Sequence, residues 1–440
     1  MDTALLMSII GVSIGLTITI IAMYKGLKPL VAGPMCAIII CIFCGISYQD
    51  GIVGAFSASF AACIKSNLFY YVSSLALSKL MIDSKCANSI AESVSKIIHP
   101  KHLPITLFLM CVIMRLGGMG VGAYMLTYAI GIFLCQKANY SENILLGIVV
   151  GCCYTVATFA PFFPNPSNAL ASSLMGTTAS AGAIPGMAMT IVCTILILVY
   201  QEWRVRSWQK KGICFTGEEQ INRAAQYRDT GDIAMPPFWK AIIPVVIVVA
   251  GYNLFDVHVS LFMFIACFAC IGLCWKTFKP ATWLKLFVAG CYDCLVPLVA
   301  LAAMAAIGGA IKATPLYDWF GSVMASGKID PLVLTTVTGT VFASLLASGS
   351  AGIQASGDML MPMIQASVDA GQYSMGAFHR MLVCGAAPPS ALPHNGSIGA
   401  MMGMFSTTFK KSYMPAFICG FVIPICCTYL IALPLALLGF

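Results

Sequence analysis

Hydrophobic residues along this chain come in runs of about 17 to 25, the length that crosses a bilayer as helix. Short joints of polar residues, glycine and proline separate them. Helices are predicted at about 4–23, 29–47, 52–81 and 185–200, and again at about 239–255, 258–275, 281–311 and 414–437. KCANSIAESVSKII (85–98) reads as a short amphipathic helix along the membrane surface, and PLYDWFGSV as its later counterpart. Two segments break the pattern. ITLFLMCVIMR, LGGMGVGA and YMLTYAIGIFL place glycines between apolar arms of about 11 residues, roughly 17 Å of helix each. LVLTTVTGTVFASLL, ASGSAGIQASGD and LMPMIQASV repeat the scheme, so each half predicts a re-entrant hairpin. ILLGIVVGCCYTVATF then runs into APFFPNPSN, and FHRMLVCGA into APPSALPHNGSIGA, which predicts one broken helix per half.

The only long polar stretch, residues 201–240, divides the chain near its middle. It gives a first repeat over 1–200, a cytoplasmic connecting loop over 201–238 and a second repeat over 239–440. Pairing the halves sets Gly117-Gly118 against Ser348-Gly349, and PNPSN (164–168) against PHNGS (393–397). With five full spans per half, an odd number, the second copy is inverted. The predicted fold class is an all-α polytopic membrane protein built from two inverted repeats, the plan of a secondary transporter.

Composition agrees. Of 440 residues 59% are hydrophobic and 9% charged, against nearer 25% charged in soluble domains, and a barrel would show short alternating segments instead. The first apolar run follows Met1 and Asp2 with no basic region or cleavage site, so it reads as a transmembrane helix and not a removed signal. The net charge of +8 lies in alternate loops, from Lys25 and Lys28 through the 204–240 cluster to Lys410 and Lys411. The intervening loops (48–50, 176–183, 256–258) carry no Lys or Arg. That bias puts both termini outside the cytoplasm and accounts for the charge without a nucleic-acid partner. Twenty cysteines include three CxxC spacings (Cys41/Cys44, Cys267/Cys270, Cys291/Cys294), where chance gives about one; lying within apolar helices, they read as packing residues, with no metal or cofactor expected.

Irregular backbone is tolerated at membrane depth only where protein or a wet cavity surrounds it. Two hairpin tips and two broken helices are therefore expected to meet near the midplane, with half-helix N-termini turned to an anion. The expected binding groups are Gly117, Gly118 and Gly120 at the first tip and Ser348, Gly349, Ser350 and Gly352 at the second. Asn165, Ser167 and Asn168 join them from the first loop, and His394, Asn395, Gly396 and Ser397 from the second. His394 and Asp358 are candidates to carry a coupling proton, each with a structural alternative. Arg115 meets a substrate carboxylate or pins the hairpin, Arg380 with His379 reads as an anchor near the outer face, and Asp293 and Lys65 as structural partners.

SKLMIDSKCANSIAE, PNPSN with GTTASAGAIPG, ASGSAG and HRM…SALPHNGSI resemble the gluconate permease (GntP) family, within the ion transporter superfamily, most closely its 3-hydroxybutyrate permeases. The likeness covers nearly the whole chain. It implies a homodimer in a bacterial inner membrane, with scaffold and elevator-type transport domains, importing a small hydroxy-monocarboxylate such as 3-hydroxybutyrate or gluconate by proton symport. APFFPNPSN and Ala351 depart from that branch's pattern at the expected pocket. Sodium coupling is the first alternative, followed by a membrane-embedded enzyme using His394, Asp358 and a serine, and by an anion channel. No GxSxG or HExxH supports the enzyme, and no GxxxxGK[ST] supports ATP-driven transport.

Overall fold

The computed structural model describes the chain apart from residues 1–2, 26, 98–101, 117–119, 164, 218–233, 256, 326–328, 347 and 406. The described residues are overwhelmingly helical and contain no strand. In chain order the principal helices are α1 Thr3–Tyr24, α2 Pro29–Cys44, α3 Gln49–Asp83, α4 Cys86–Ile97, α5 Leu103–Leu116 and α6 Gly120–Ala138. Then come α7 Glu142–Phe159, α8 Pro166–Met175, α9 Ala183–Lys210, α10 Phe238–Leu254, α11 Ser260–Leu273 and α12 Pro280–Lys312. The last are α13 Pro315–Ala325, α14 Pro331–Leu345, α15 Gly349–Asp369, α16 Met375–Ala386, α17 Gly396–Met404 and α18 Phe409–Leu437. Six of these, α1, α3, α7, α9, α12 and α18, are long and apolar enough to cross a membrane, and shorter apolar helices accompany them. The chain is a multi-pass membrane protein.

The long helices α3 and α12 run antiparallel at the centre. Gly290 lies against Leu75, Ala76 and Lys79 at one end, and Gly309 against Ala55 and Ser59 at the other. Gly33 of α2 presses on the Ala303 backbone of α12 in the same way. Lipid is as apolar as leucine, so such close backbone contact, and not hydrophobic exclusion, holds these helices together. Helices α14, α15 and α16 pack on one another, α15 and α16 pack also on α8, and α18 packs on α7 and α9. Their buried faces merge into one core running from Leu77 on α3 to Phe378 on α16.

Three expectations change. The helix expected at 185–200 continues to Lys210, because Gln201, Val205 and Trp208 form a buried stripe at i, i+4 and i+7. Gln201 Nε2 donates to the Gly147 carbonyl at 3.2 Å. The connecting segment therefore begins after Lys210 and not at residue 201. The second hairpin arms, α6 and α15, have 19 and 21 residues, nearer a full span than a half. Both extend through polar ends, Gln136-Lys137 and Gln365 to Asp369, which the apolar pattern omits. Asp293 and Lys65 do not pair: the α3–α12 register sets Gly290 beside Ala76, about eight residues out of step for that contact.

All twenty cysteines are free thiols, the three CxxC pairs included.

Candidate functional site

Three helices begin at one place, each with a polar cap. Asn165 caps α8, its Oδ1 accepting from Asn168 N at 2.9 Å. Ser348 caps α15, its Oγ accepting from Ala351 N at 3.3 Å. Asn395 caps α17, its Oδ1 accepting from Ser397 N at 2.7 Å. A proline at N1 of α8 and glycines at the first positions of α15 and α17 suit these starts, since Pro lacks an N–H and Gly allows close approach. The breaks before α8 and α17 thus have a local cause in the sequence, and they aim three positive dipole ends at one cavity.

That cavity has a volume of about 120 Å³, and Asn165, Ser167, Ser348, Gly349, Ser350, Asn395 and Ser397 all line it. Ser167 Oγ and Ser350 Oγ lie 3.4 Å apart across it, which brings the first-half loop against the second-half tip. Gly349 N donates to Ser390 Oγ at 2.9 Å, and a Cβ on Gly349 would sit 2.8 Å from that oxygen. Gly349→Ala is expected to displace the tip and lower the melting temperature, a shift that Ser390→Ala in the same chain relieves only in part, because Ala386 O also crowds the position. Asn395→Ala is expected to lose about 1 kcal/mol of stability from the cap alone.

The remaining expected residues divide between other roles and positions outside the described residues. Asn168 is fully buried and committed: its Nδ2 donates to the Ala160 and Phe163 carbonyls and its Oδ1 accepts from Arg380. Gly352 packs the hairpin shut, with Ala343 where a side chain would go. His394 does not line the cavity; Nε2 meets the Ser344 carbonyl at 2.8 Å, and buried Nδ1 has no partner among the described residues. Gly120 and Gly396 are the first residues of α6 and α17. Gly117, Gly118 and the side chain of Asp358 lie outside the described residues. The expectation that tip N–H groups cradle an anion narrows too, since the amides of Asn168, Gly349, Ala351 and Ser397 already serve side-chain oxygens.

What the sequence reading underweighted is the cation. Arg115, at the end of α5, lines the cavity and is 9% exposed. Its Cζ stands 5.6 Å from the centre of the Tyr124 ring, and the Tyr70 hydroxyl lies beside it. Nε is buried without a partner, and among the described residues no carboxylate pairs with the guanidinium. Among the described residues no Asp or Glu lines the cavity. An ionised group kept from water without a counterion costs several kcal/mol, so this guanidinium is poised for an anion from outside the chain. Hydroxyls complete the wall: Tyr70, Tyr71 and Ser74 from α3, Tyr124 from α6, Tyr154 and Thr158 from α7, and Ser390. Their signal in the sequence was a run of hydroxyl residues in mid-membrane helix, YYVSSLALS above all.

A second buried arginine is built the other way. Arg380 is fully buried, and its five N–H groups make five hydrogen bonds, all to neutral oxygens. Nε and Nη2 donate to the Ala181 carbonyl at 3.0 and 2.8 Å, Nη2 also to Ala179 at 3.1 Å, and Nη1 to Phe159 and Asn168 Oδ1 at 2.8 and 3.0 Å. Beside it His379 Nδ1 meets Thr177 Oγ1 at 2.6 Å. The hydrogen bonds of the pair give it the anchoring role expected, with both side chains buried in protein.

Cys111, Cys152 and Cys153 bring three buried Sγ atoms within 4.8 Å of one another, next to the cavity wall that Cys153 shares. Three thiol sulfurs this close are a soft ligand set that could hold a metal ion as well as pack against one another.

No protein-family model matches the chain. It is similar to the uncharacterized transporter YxjC of Bacillus subtilis (strain 168), with 21% identity over 93% of this chain and 95% of that protein.

Proposed function

We propose that this protein is a secondary active transporter that imports a small hydroxy-monocarboxylate by proton symport, as the gluconate permease resemblance implies. One observation carries the reading: a buried arginine without a carboxylate faces a small cavity lined by hydroxyls and amides. The substrate carboxylate pairs with Arg115, and its hydroxyl exchanges hydrogen bonds with Ser350, Asn395 and the tyrosines. One positive charge is neutralised by one carboxylate, which favours monoanions over dianions. The similarity to YxjC along nearly the whole chain supports transport as the activity. His394, turned to the Ser344 carbonyl, is not set to activate a cavity serine, which disfavours the enzyme reading.

Two inverted repeats account for the contacts between halves. Among the described residues, nine principal helices precede residues 218–233 and nine follow. The surface helix of each half packs on the first helix of the other, α4 on α10 and α13 on α1. Likewise the long helix of each half packs on the other's second, α3 on α11 and α12 on α2. In this reading α1–α3 and α10–α12 form a scaffold, the hairpins and broken helices form the moving domain, and the protein works as a dimer in the inner membrane with both termini outside.

Uptake of labelled 3-hydroxybutyrate into proteoliposomes is expected to rise when the outside is made acidic and to ignore sodium. Butyrate, which lacks the hydroxyl, should compete on the order of 10- to 100-fold less well, because it leaves cavity polar groups unpaired. Uptake driven by sodium and blind to pH would replace the proton with Na⁺; equal competition by butyrate would remove the hydroxyl from the substrate definition.

A further inference from the structure

A second cavity, of about 350 Å³, shares Leu301, Ser348 and Ser350 with the first, so the two adjoin along those residues. Its walls come from the middle of α3, the end of α12 and the start of α15. Lys65 and Lys312 both line it, and among the described residues no Asp or Glu does. Lys65 lies midway along α3, roughly 24 Å of helix from Gln49 at 1.5 Å per residue. An ammonium at that depth costs about 3 kcal/mol or more in hydrocarbon, so it persists where it faces water or a partner. Among the described residues it has no ion-pair partner, and it is exposed to the cavity.

We infer that this vestibule is an anion station: Lys65 gathers carboxylates from the outer side and passes them along the shared Ser348–Ser350 wall to the Arg115 cavity. The inference rests on the transport reading above for what passes through, but its charge is testable without any substrate. A low-dielectric funnel of one sign raises the local concentration of oppositely charged solutes and their entry rate, and added salt screens it. The station holds its anion hydrated and weakly, while the buried arginine supplies the tight contact.

Cys63, half-buried on α3, lines the same vestibule and reports on it. The intact protein would be treated with an anionic (sulfonate) and a cationic (trimethylammonium) methanethiosulfonate, and modification of the Cys63 peptide followed by mass spectrometry. The ratio of the two rates cancels thiolate fraction and accessibility, leaving the sign of the local potential. The anionic reagent is expected to react faster relative to the cationic one in the unaltered chain. Lys65→Gln should lower that ratio on the order of fivefold or more, and Lys65→Arg should keep it. Raising salt from 10 mM to 1 M, where the screening length falls from about 30 to 3 Å, should collapse it in the unaltered chain, a check that needs no variant. A ratio unmoved by Lys65→Gln and by salt overturns the station, and so does a Cys63 that neither reagent reaches. Either result leaves carboxylate binding at Arg115 standing, which has its own test.

Discussion

Replacing Arg115 by glutamine is expected to reduce carboxylate uptake about a hundredfold or more while leaving the ligand-free melting temperature unchanged or raised. The two effects have one cause. In the empty protein the guanidinium is buried with an orphaned Nε and no counterion, so it contributes desolvation cost and little pairing. Removing the charge relieves that cost. In the loaded protein the same charge meets the substrate carboxylate, and truncating one side of a buried, hydrogen-bonded charge pair costs about 2 to 5 kcal/mol. Arg115→Lys keeps a charge but loses the planar fork, and should fall between the two. A purely structural Arg115 would behave in the opposite way, with melting temperature and uptake falling together. Uptake in proteoliposomes and thermal unfolding in detergent, on the same preparations, separate the cases.

Arg380 supplies that opposite case. Arg380→Met is expected to cost about 4 kcal/mol or more and to collapse the yield of monodisperse protein. It strips hydrogen bonds from the carbonyls of Phe159, Ala179 and Ala181 and from Asn168, all in the interior, and each unsatisfied polar group costs about 1 to 3 kcal/mol. Those acceptors belong to the break between α7 and α8 and to the loop leading into α9. Without the anchor, Asn165 and Ser167 would no longer be held against the second tip. Gly182, at φ +57° and pressed against the Arg380 stem, is part of the same fitting. Arg380→Lys offers three donors where five are used, so it should destabilise too, by less. Thermal unfolding of each variant reads this directly. A variant that folds with unchanged stability would show that the loop is held by something else.

The sequence announced the cavity by its helix breakers. PNPSN, SGS and PHNGS at membrane depth have few explanations, and Asn165, Ser348 and Asn395 do cap three helices around one space. The direction of a side chain is another matter. Asn165 and Asn168 are three residues apart in one motif, yet one faces the cavity and the other is consumed by Arg380. His394 and Asn395 are adjacent and point to different neighbours. Nothing local separates them, because the distinction is made by residues fifty or more positions away. Arg115 and Arg380 likewise look equivalent in a string of letters. Only long-range packing decides that one meets four oxygens and the other a cavity. The extension of α9 was readable in principle, from Gln201, Val205 and Trp208 at helical spacing, but its polar and basic content masked the stripe. The distance between Lys65 and Asp293 depends on the α3–α12 register, which no local pattern sets.

The most direct test of the central claim is thermal unfolding of the purified protein against a panel of small carboxylates at constant pH, in the unaltered chain and in Arg115→Gln. A ligand that binds the folded state raises its melting temperature by mass action, by about 2.7 kcal/mol at a hundred times its dissociation constant. The account predicts that a short hydroxy acid, 3-hydroxybutyrate first, stabilises the unaltered protein and leaves Arg115→Gln unmoved. Stabilisation of equal size in both proteins, or by no carboxylate at all in a well-folded sample, would contradict it.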